Sequence, residues 1–307
     1  MKKVVSIIVI LCSVTLSYAQ KVKLELNLKK GEEYMQMMNM TSGISQEFQG
    51  QKMQVTVQLK GALSYVVTDV TAEGFQMDVT YKQLSIDMKI PMAQKEMSYS
   101  SEKNDSTDVM SSLLKGMTGT AFQVLLSKTG KVLSVQNLDK LFQKNLKSIS
   151  NLPADQLAQF KGQLESSYGK ESFKGNFEMI TNIYPEEKVK VGDQWQIENN
   201  LQSGFVGNLN STYSLATIEK DYYEIKGEGS IKTDKSTSLL ETDGNMQIDL
   251  NGKVLSDIKI DKKSGWILDA TLQQTIDGAF TMGVPMGDAK GMSIPVHINN
   301  TIEYTDK

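Results

Sequence analysis

Residues 53–59 read Met-Gln-Val-Thr-Val-Gln-Leu, so that apolar side chains alternate strictly with polar ones. The same alternation runs through residues 22–28, and related patterns follow at 65–70, 75–81 and 84–88. A period of two residues is typical of a β-strand that has one packed face and one face toward water. This part of the chain therefore predicts an antiparallel sheet.

Helical periodicity interrupts the strand patterns. Apolar residues recur at helical spacing over 109–117. They do so again in the middle of the chain, at Leu138, Leu141, Phe142, Ile149, Leu157, Phe160, Leu164, Tyr168, Phe173, Phe177 and Ile180. Strand patterns resume after Pro185. We predict an α+β protein, mainly antiparallel β, built as two related curved-sheet halves with amphipathic helices in the middle.

A short motif opens both halves of the chain. Residues 28–34 and 189–195 each read apolar-Lys-x-Gly-acid-x-aromatic, and residues 127–133 resemble 261–268. The two echoes occur in the same order, which favours a duplicated β unit whose glycines make turns. The predicted organisation is a signal peptide over 1–19, a β-rich half with one short helix over 20–136, a helical connecting segment over 137–184 and a second β-rich half over 185–307.

The first segment has the pattern of a secretory signal peptide. Two lysines precede an apolar run over residues 4–16, and Ser17 and Ala19 supply the small residues of a cleavage site. The run is shorter than the roughly 20 residues that a transmembrane helix needs. We therefore predict an exported protein, periplasmic or extracellular, with no transmembrane span after cleavage. An outer-membrane lipoprotein anchored through Cys12 is the less favoured alternative, because Leu11 stands where a lipobox needs a small residue.

The composition argues against several classes of function. The 307 residues include one His, one Cys and 33 basic residues, all of them lysine, and the net charge is −3. One His and one Cys are too few for a Cys/His zinc site, and an acidic chain without Arg is poorly suited to nucleic acid. Asp243-Gly244 and Asp277-Gly278 indicate turns and lack the ligand pattern of a calcium loop. We predict no cofactor, no metal site and no catalytic residue.

Methionine is frequent, with 17 in the chain. Flexible thioethers fill irregular gaps in a core and also line adaptable apolar sites. Three interpretations stay open: ordinary core packing, a pliable cavity for a lipid or other apolar ligand, and a thioether site for copper(I). The candidate lining residues of an apolar cavity are Met35, Met37, Met53, Met77 and Met88.

A second candidate site is the tripeptide Asp105-Ser106-Thr107. It resembles the O-glycosylation motif of exported Bacteroidota proteins, which would place a glycan on Ser106. The same residues are also suited to cap the N-terminus of the helix that follows. Both interpretations stay open.

The motifs together resemble an uncharacterised exported Bacteroidota family of unknown function. They are Leu-Lys-Lys-Gly-Glu-x-Tyr at 28–34, Ser-Lys-Thr-Gly-Lys-Val at 127–132, Tyr-Pro-x-x-x-Val-x-Val-Gly-Asp-x-Trp at 184–195 and Asp-x-x-Ser-Gly-Trp at 261–266. The resemblance implies no activity and supplies no functional residue. In shape alone, a curved sheet with helices against it is similar to the half-barrel of lipoprotein carriers.

These features favour a non-catalytic protein of the cell envelope that binds a lipid or other apolar ligand. An alternative is an envelope scaffold, which would bind a protein partner through its surface. A third hypothesis is a hydrolase that uses only carboxylates, because Asp and Glu are abundant and their separation in space is not visible in a sequence.

Overall fold

A computed structural model describes residues 21–48, 50–105, 107–141, 162, 165, 168–202, 205–233, 246–282 and 292–307. Twelve strands and two α-helices are present in these ranges. In chain order they are β1 Glu33–Phe48, β2 Gln51–Val70, β3 Phe75–Ile90, β4 Lys95–Ser100, α1 Val109–Met117, β5 Ala121–Leu126, β6 Val132–Gln136, α2 Lys170–Thr181, β7 Gln194–Gln202, β8 Val206–Ile218, β9 Tyr222–Thr233, β10 Met246–Asp261, β11 Ile267–Met282 and β12 Met292–Thr305. The α+β class, mainly antiparallel β, is confirmed.

All twelve strands belong to one antiparallel sheet. Its order is β6-β5-β3-β2-β1-β12-β11-β10-β9-β8-β7, and β4 pairs with the far end of β3. Most strands that follow one another in sequence pair with each other. The exceptions are β5, which pairs with β3 rather than β4, and β6 and β7, which do not pair. The remaining pair, β1 with β12, brings together the first and the last strand described. This pair joins the two runs of strands at the centre of the sheet, and β6 and β7 lie at its two edges.

The sheet is curved around one large core, and a smaller hydrophobic cluster lies beside helix α1. Buried residues from strands near opposite edges, such as Val124 in β5 and Leu209 in β8, belong to the same hydrophobic cluster. The period-2 patterns supply this core, because they place apolar side chains on one face of each strand. The opposite face carries polar residues, such as Asn39, Thr301 and Glu303 along β1 and β12.

Helix α2 lies between the two edge strands and is bonded to both. On one side the Glu178 carboxylate accepts a hydrogen bond from the backbone N–H of Val132, the first residue of β6, at 2.8 Å. On the other side the Ser172 hydroxyl donates to the carbonyl oxygen of Gln202, the last residue of β7, at 2.7 Å. The helix thus spans the gap that the curved sheet leaves open.

Residues 21–30 cross one end of the curved sheet. Leu24, Leu26 and Leu28 are each at most 3% exposed, which confirms that this segment packs one side against the core. It does not join the sheet as a strand, however. The backbone N–H of Val22 donates to the chain just before β7. The N–H groups of Leu26 and Asn27 donate to the turns after β5 and β10, respectively. Alternation of apolar and polar residues shows only that one side of an extended segment is buried. A segment that packs across the end of a sheet has this pattern as well as a strand within the sheet.

The repeated motifs fold into matching turns. Gly31 and Gly192 precede β1 and β7 with φ of 84° and 87°, and Gly130 and Gly265 precede β6 and β11 with φ of 81° and 70°. A positive φ is the conformation that glycine adopts without steric cost. The relation of the two halves by duplication stays a prediction. Within the predicted connecting segment 137–184, helix α2 is observed, and most of residues 142–167 lie outside the described residues.

Candidate functional site

A cavity of about 390 Å³ lies between the packed face of the sheet and helix α2. Its sheet side is formed by strands at the centre, namely β1, β2, β3 and β12, and Met117 of α1 closes a further side. The lining residues of the sheet are Gln36, Met38, Met40, Leu59, Leu63, Tyr65, Tyr81, Leu84, Ile302 and Tyr304. The lining is therefore mostly apolar and aromatic, which is typical of a site for a small hydrophobic molecule.

Helix α2 supplies the opposite wall. Phe173, Phe177 and Ile180 recur at helical spacing, so that they share the face that packs on the sheet. Asn176 and Met179 from this helix, and Tyr168 just before it, also line the cavity. The sequence pattern over Phe173–Ile180 predicted this helix correctly.

Aromatic contacts hold the helix against the sheet. The ring of Tyr65 in β2 stacks on Phe177 with centroids 5.3 Å apart, and Phe177 stacks in turn on Phe173 at 5.4 Å. Trp266 meets the other side of Tyr65 edge-on at 5.2 Å. Such ring pairs stabilise a fold by about 0.5–1.5 kcal/mol beyond the area that they bury. Tyr65 thus has a rigid place in the wall of the cavity.

The amide of Gln36 is a deeply buried polar group in the wall of the cavity, and the residue is 3% exposed. The Tyr65 hydroxyl donates a hydrogen bond to Gln36 Oε1 at 3.2 Å. Gln36 Nε2 is buried without a hydrogen-bond partner. Burial raises the pKa of the Tyr65 phenol well above its usual range, so the hydroxyl stays protonated and acts as the donor.

The described lining of the cavity is uncharged. Among the described residues that line the cavity, none is Asp, Glu or Lys. Burial also raises the pKa of the phenols of Tyr81, Tyr168 and Tyr304, which therefore stay neutral. The cavity as described presents an uncharged surface to whatever occupies it.

Four methionines line the cavity as described. Met38, Met40, Met117 and Met179 do so, and none of the five residues predicted from the sequence does. Met38 and Met40 are at even-numbered positions of β1, whereas Met35 and Met37 are at odd-numbered positions. Met35 and Met37 therefore lie on the opposite face of the sheet, where Met37 is 44% exposed. Successive residues of a strand point to opposite faces, and β1 has methionines on both.

The other three predicted methionines lie elsewhere. Met77 is fully buried in the main core. Met53 and Met88 are partly buried and lie further along the sheet, paired with Gln46 and Val57. The sequence offered no signal for the buried amide of Gln36, because a glutamine within a strand normally marks the solvent face.

Neither the Asp105–Thr107 tripeptide nor His297 contributes a described residue to the lining of the cavity. Ser106 is outside the described residues, so its glycosylation stays a prediction. The residue that caps helix α1 is Asp108, whose carboxylate accepts from the Ser111 N–H at 3.0 Å. His297, the one histidine of the chain, lies on the polar face with its Nδ1 at 2.6 Å from Asp277 Oδ1.

Two further observations concern metals and membranes. Within the ranges that the structure describes, no three His, Cys, Asp or Glu side chains are grouped so that they could hold a metal ion. In the same ranges, neither helix has the length and apolar character needed to cross a bilayer.

Glu178 is expected to make stability depend on pH. The residue is 4% exposed, and burial raises the pKa of its carboxyl, an effect that the hydrogen bond from Val132 and the nearby Lys174 partly oppose. Because the folded state holds the proton more tightly than the unfolded state, this group stabilises the fold most at low pH. That contribution is lost as the pH rises through the folded pKa, which lies above 4.5.

Glu178→Gln should therefore flatten the fall in the free energy of unfolding between pH 4 and pH 7, since glutamine keeps an acceptor for Val132 and cannot ionise. Urea unfolding across this range measures the effect. Glu187→Gln, at an exposed position after the same helix, is the control for the loss of one charge. An unchanged pH profile in Glu178→Gln would contradict the assignment.

Comparison with solved structures finds similar chains of low sequence identity. A lipovitellin structure concerned with lipid–protein interactions aligns with a TM-score of 0.49 at 8% identity, covering 92% of this chain and 25% of that one. This chain thus spans a quarter of the length of that chain. An outer membrane channel from Pseudomonas putida F1 aligns with a TM-score of 0.24 at 6% identity, covering 91% of this chain and 97% of the channel.

Sequence comparison agrees with the resemblance drawn from the motifs. None of the curated proteins compared with this chain matches it. A family model, DUF6263, described as a family of unknown function, matches residues 72–267, which is more than half of the chain. The matched region extends from the turn before β3 to the first residue of β11. The chain therefore belongs to this family of unknown function.

Proposed function

We propose that this protein is an exported, non-catalytic protein of the cell envelope that holds a lipid or other apolar ligand between its sheet and helix α2. The observation that carries the proposal is the cavity of about 390 Å³ with its apolar lining. Protein interiors are otherwise packed with few voids larger than a water molecule. Pockets that bind small molecules have volumes of about 300–1,000 Å³, so this cavity is of ligand size.

The position of the cavity supports the same proposal. Its walls come from the centre of the sheet and from a helix that is bonded to both sheet edges, so the space is framed by regular structure. A site on such elements keeps its shape better than a site on loops. Export rests on the sequence of residues 1–19, whose pattern is that of a signal peptide.

The test is to purify the protein from the envelope of its own host and to weigh it by native mass spectrometry. We expect a mass above that of the polypeptide, and a lipid or other apolar compound in an organic extract of the sample. A reproducible protein partner with no extractable compound would favour the alternative of an envelope scaffold.

Met40→Trp is the variant that examines the cavity directly. A larger side chain at this lining position fills the space, so we expect the bound compound to fall at least about tenfold, as is reasonable when a bulky group occupies a binding pocket. Met37→Trp introduces the same residue on the opposite face of the same strand and should keep the compound. Equal occupancy in both variants, each confirmed as folded by circular dichroism, would contradict the assignment of the cavity.

A further inference from the structure

The amide nitrogen of Gln36 is a hydrogen-bond donor without a partner in the wall of the cavity. Three buried side-chain atoms lack a hydrogen-bond partner in the described part of the chain: Gln36 Nε2, Asn199 Nδ2 and Asn300 Oδ1. Of the three residues, only Gln36 lines the cavity. A buried donor without an acceptor destabilises a fold, so its presence in a cavity wall needs an explanation.

The neighbouring phenol fixes which end of the amide faces the cavity. The Tyr65 hydroxyl is buried and protonated, and its proton needs an acceptor, which Gln36 Oε1 provides at 3.2 Å. If the amide were turned over, the phenol proton would lose this acceptor and Oε1 would be left unpaired as well. The amide N–H is therefore the group that stays available.

The rest of the lining restricts what can accept this hydrogen bond. Asn176, the other amide of the lining, already has an interaction partner. Among the described lining residues there is no cation, so an ionised carboxylate in the cavity would be a buried charge without a counter-ion. Burial of an unpaired charge is far more costly than burial of a neutral carbonyl. The complementary ligand is thus neutral, largely hydrocarbon and equipped with one acceptor.

We infer that the cavity takes a neutral acyl compound, an ester or amide of a fatty acid, whose carbonyl oxygen accepts a hydrogen bond from Gln36 Nε2. This inference rests on the proposed function and specifies the chemical class of its ligand. The acyl chain contacts the methionine and aromatic side chains, and the carbonyl satisfies the one donor that the wall leaves unpaired.

The test compares decane, methyl decanoate and decanoate as competitors of the fluorescent apolar probe N-phenyl-1-naphthylamine, bound to the full chain at pH 8. The decisive variant is the double substitution Gln36→Met with Tyr65→Phe, which removes both members of the buried hydrogen bond and keeps their approximate shapes. We expect the double variant to bind methyl decanoate about tenfold more weakly, the effect of one lost hydrogen bond, and to bind decane at least as tightly as the parent does. In the parent, decanoate should bind at least about tenfold more weakly than its methyl ester.

Gln58→Met, at an exposed position of β2 outside the described lining, is the matched control and should leave the affinity for methyl decanoate unchanged. Tyr65→Phe alone keeps Gln36 Nε2 in the wall, so it should lose less of this affinity than the double variant does. Equal losses for decane and methyl decanoate in the double variant would overturn the inference and leave an unselective apolar cavity. Decanoate binding as tightly as its ester would also overturn it. If the parent binds neither the probe nor any of the three compounds, the proposed function itself fails.

Discussion

Gly130→Ala is expected to lower the free energy of unfolding by about 3 kcal/mol, the combined effect of backbone strain and steric overlap. Gly130 lies in the turn between β5 and β6 with a φ of 81°, where any Cβ is strained. A Cβ there would also overlap the carbonyl oxygen of Thr181, at the end of helix α2. The Thr181 hydroxyl donates to the Gly130 carbonyl oxygen at 2.7 Å, so the turn and the helix cannot separate without losing this bond.

Gly31→Ala is the matched control for this substitution. Gly31 has nearly the same φ, 84°, and no heavy atom lies within 4 Å of a Cβ built on it. Its free energy of unfolding should fall only by the cost of placing alanine in the left-handed conformation, about 1–2 kcal/mol. Urea unfolding of both variants measures the difference, which reports the contact between the turn and helix α2. If both variants lost the same amount of unfolding free energy, helix α2 would not resist a Cβ at position 130, and the proposed contact would contribute nothing.

The second large effect is expected for Leu26→Ala, which should lower the free energy of unfolding by about 3 kcal/mol. Leu26 is 2% exposed in the segment that crosses one end of the sheet, and its N–H bonds to the carbonyl oxygen of Lys128. Truncation leaves a cavity beneath a segment whose backbone is held in place, so the site cannot collapse to fill it.

Glu25→Ala, next to it and outside the core, should change stability by less than about 0.5 kcal/mol. The midpoint and the slope of urea unfolding together decide the interpretation. A lower midpoint with an unchanged slope shows that residues 21–30 unfold together with the sheet. A loss below about 1 kcal/mol would mean that the segment detaches on its own and contributes little.

Local patterns in the sequence predicted the elements well. The alternation over 53–59 lies within β2, and the helical stripes over 109–117 and 173–180 correspond to α1 and α2. The stripe over 138–168 lies mostly outside the described residues and stays a prediction. The turn predicted for the glycine of residues 127–133 is also observed, where Gly130 connects β5 to β6. These predictions succeeded because each depends on a periodicity or a turn residue that a few neighbouring positions determine.

The long-range features could not be predicted in this way. The pairing of β1 with β12 joins residues at least 250 positions apart, and nothing local specifies it. Asp277-Gly278 was wrongly predicted as a turn and lies within β11. There a Cβ on Gly278 would overlap the carbonyl oxygen of Asp249, so the glycine serves the close approach of β10.

In the candidate site, too, local patterns were predictable and features that depend on neighbouring strands were not. Alternation predicted that methionines of the first half would face an interior, but β1 carries methionine at both odd and even positions. The residues of β1 alone do not show which of its two faces is buried. Its pairing with β2 and β12 decides that Met38 and Met40 face inward. Gln36 was missed because its burial depends on the Tyr65 hydroxyl in the neighbouring strand.

The pairing of β1 with β12 has a consequence for biosynthesis. As the chain is made from its N-terminus, β1 can pair with β2 at once, but its other edge has no partner until the last strand has been synthesised. An edge of this length is a template for pairing with other chains. The nascent polypeptide therefore carries an unprotected edge on β1 until residues 292–305 have been synthesised, and other growing chains nearby can adhere to that edge during this period.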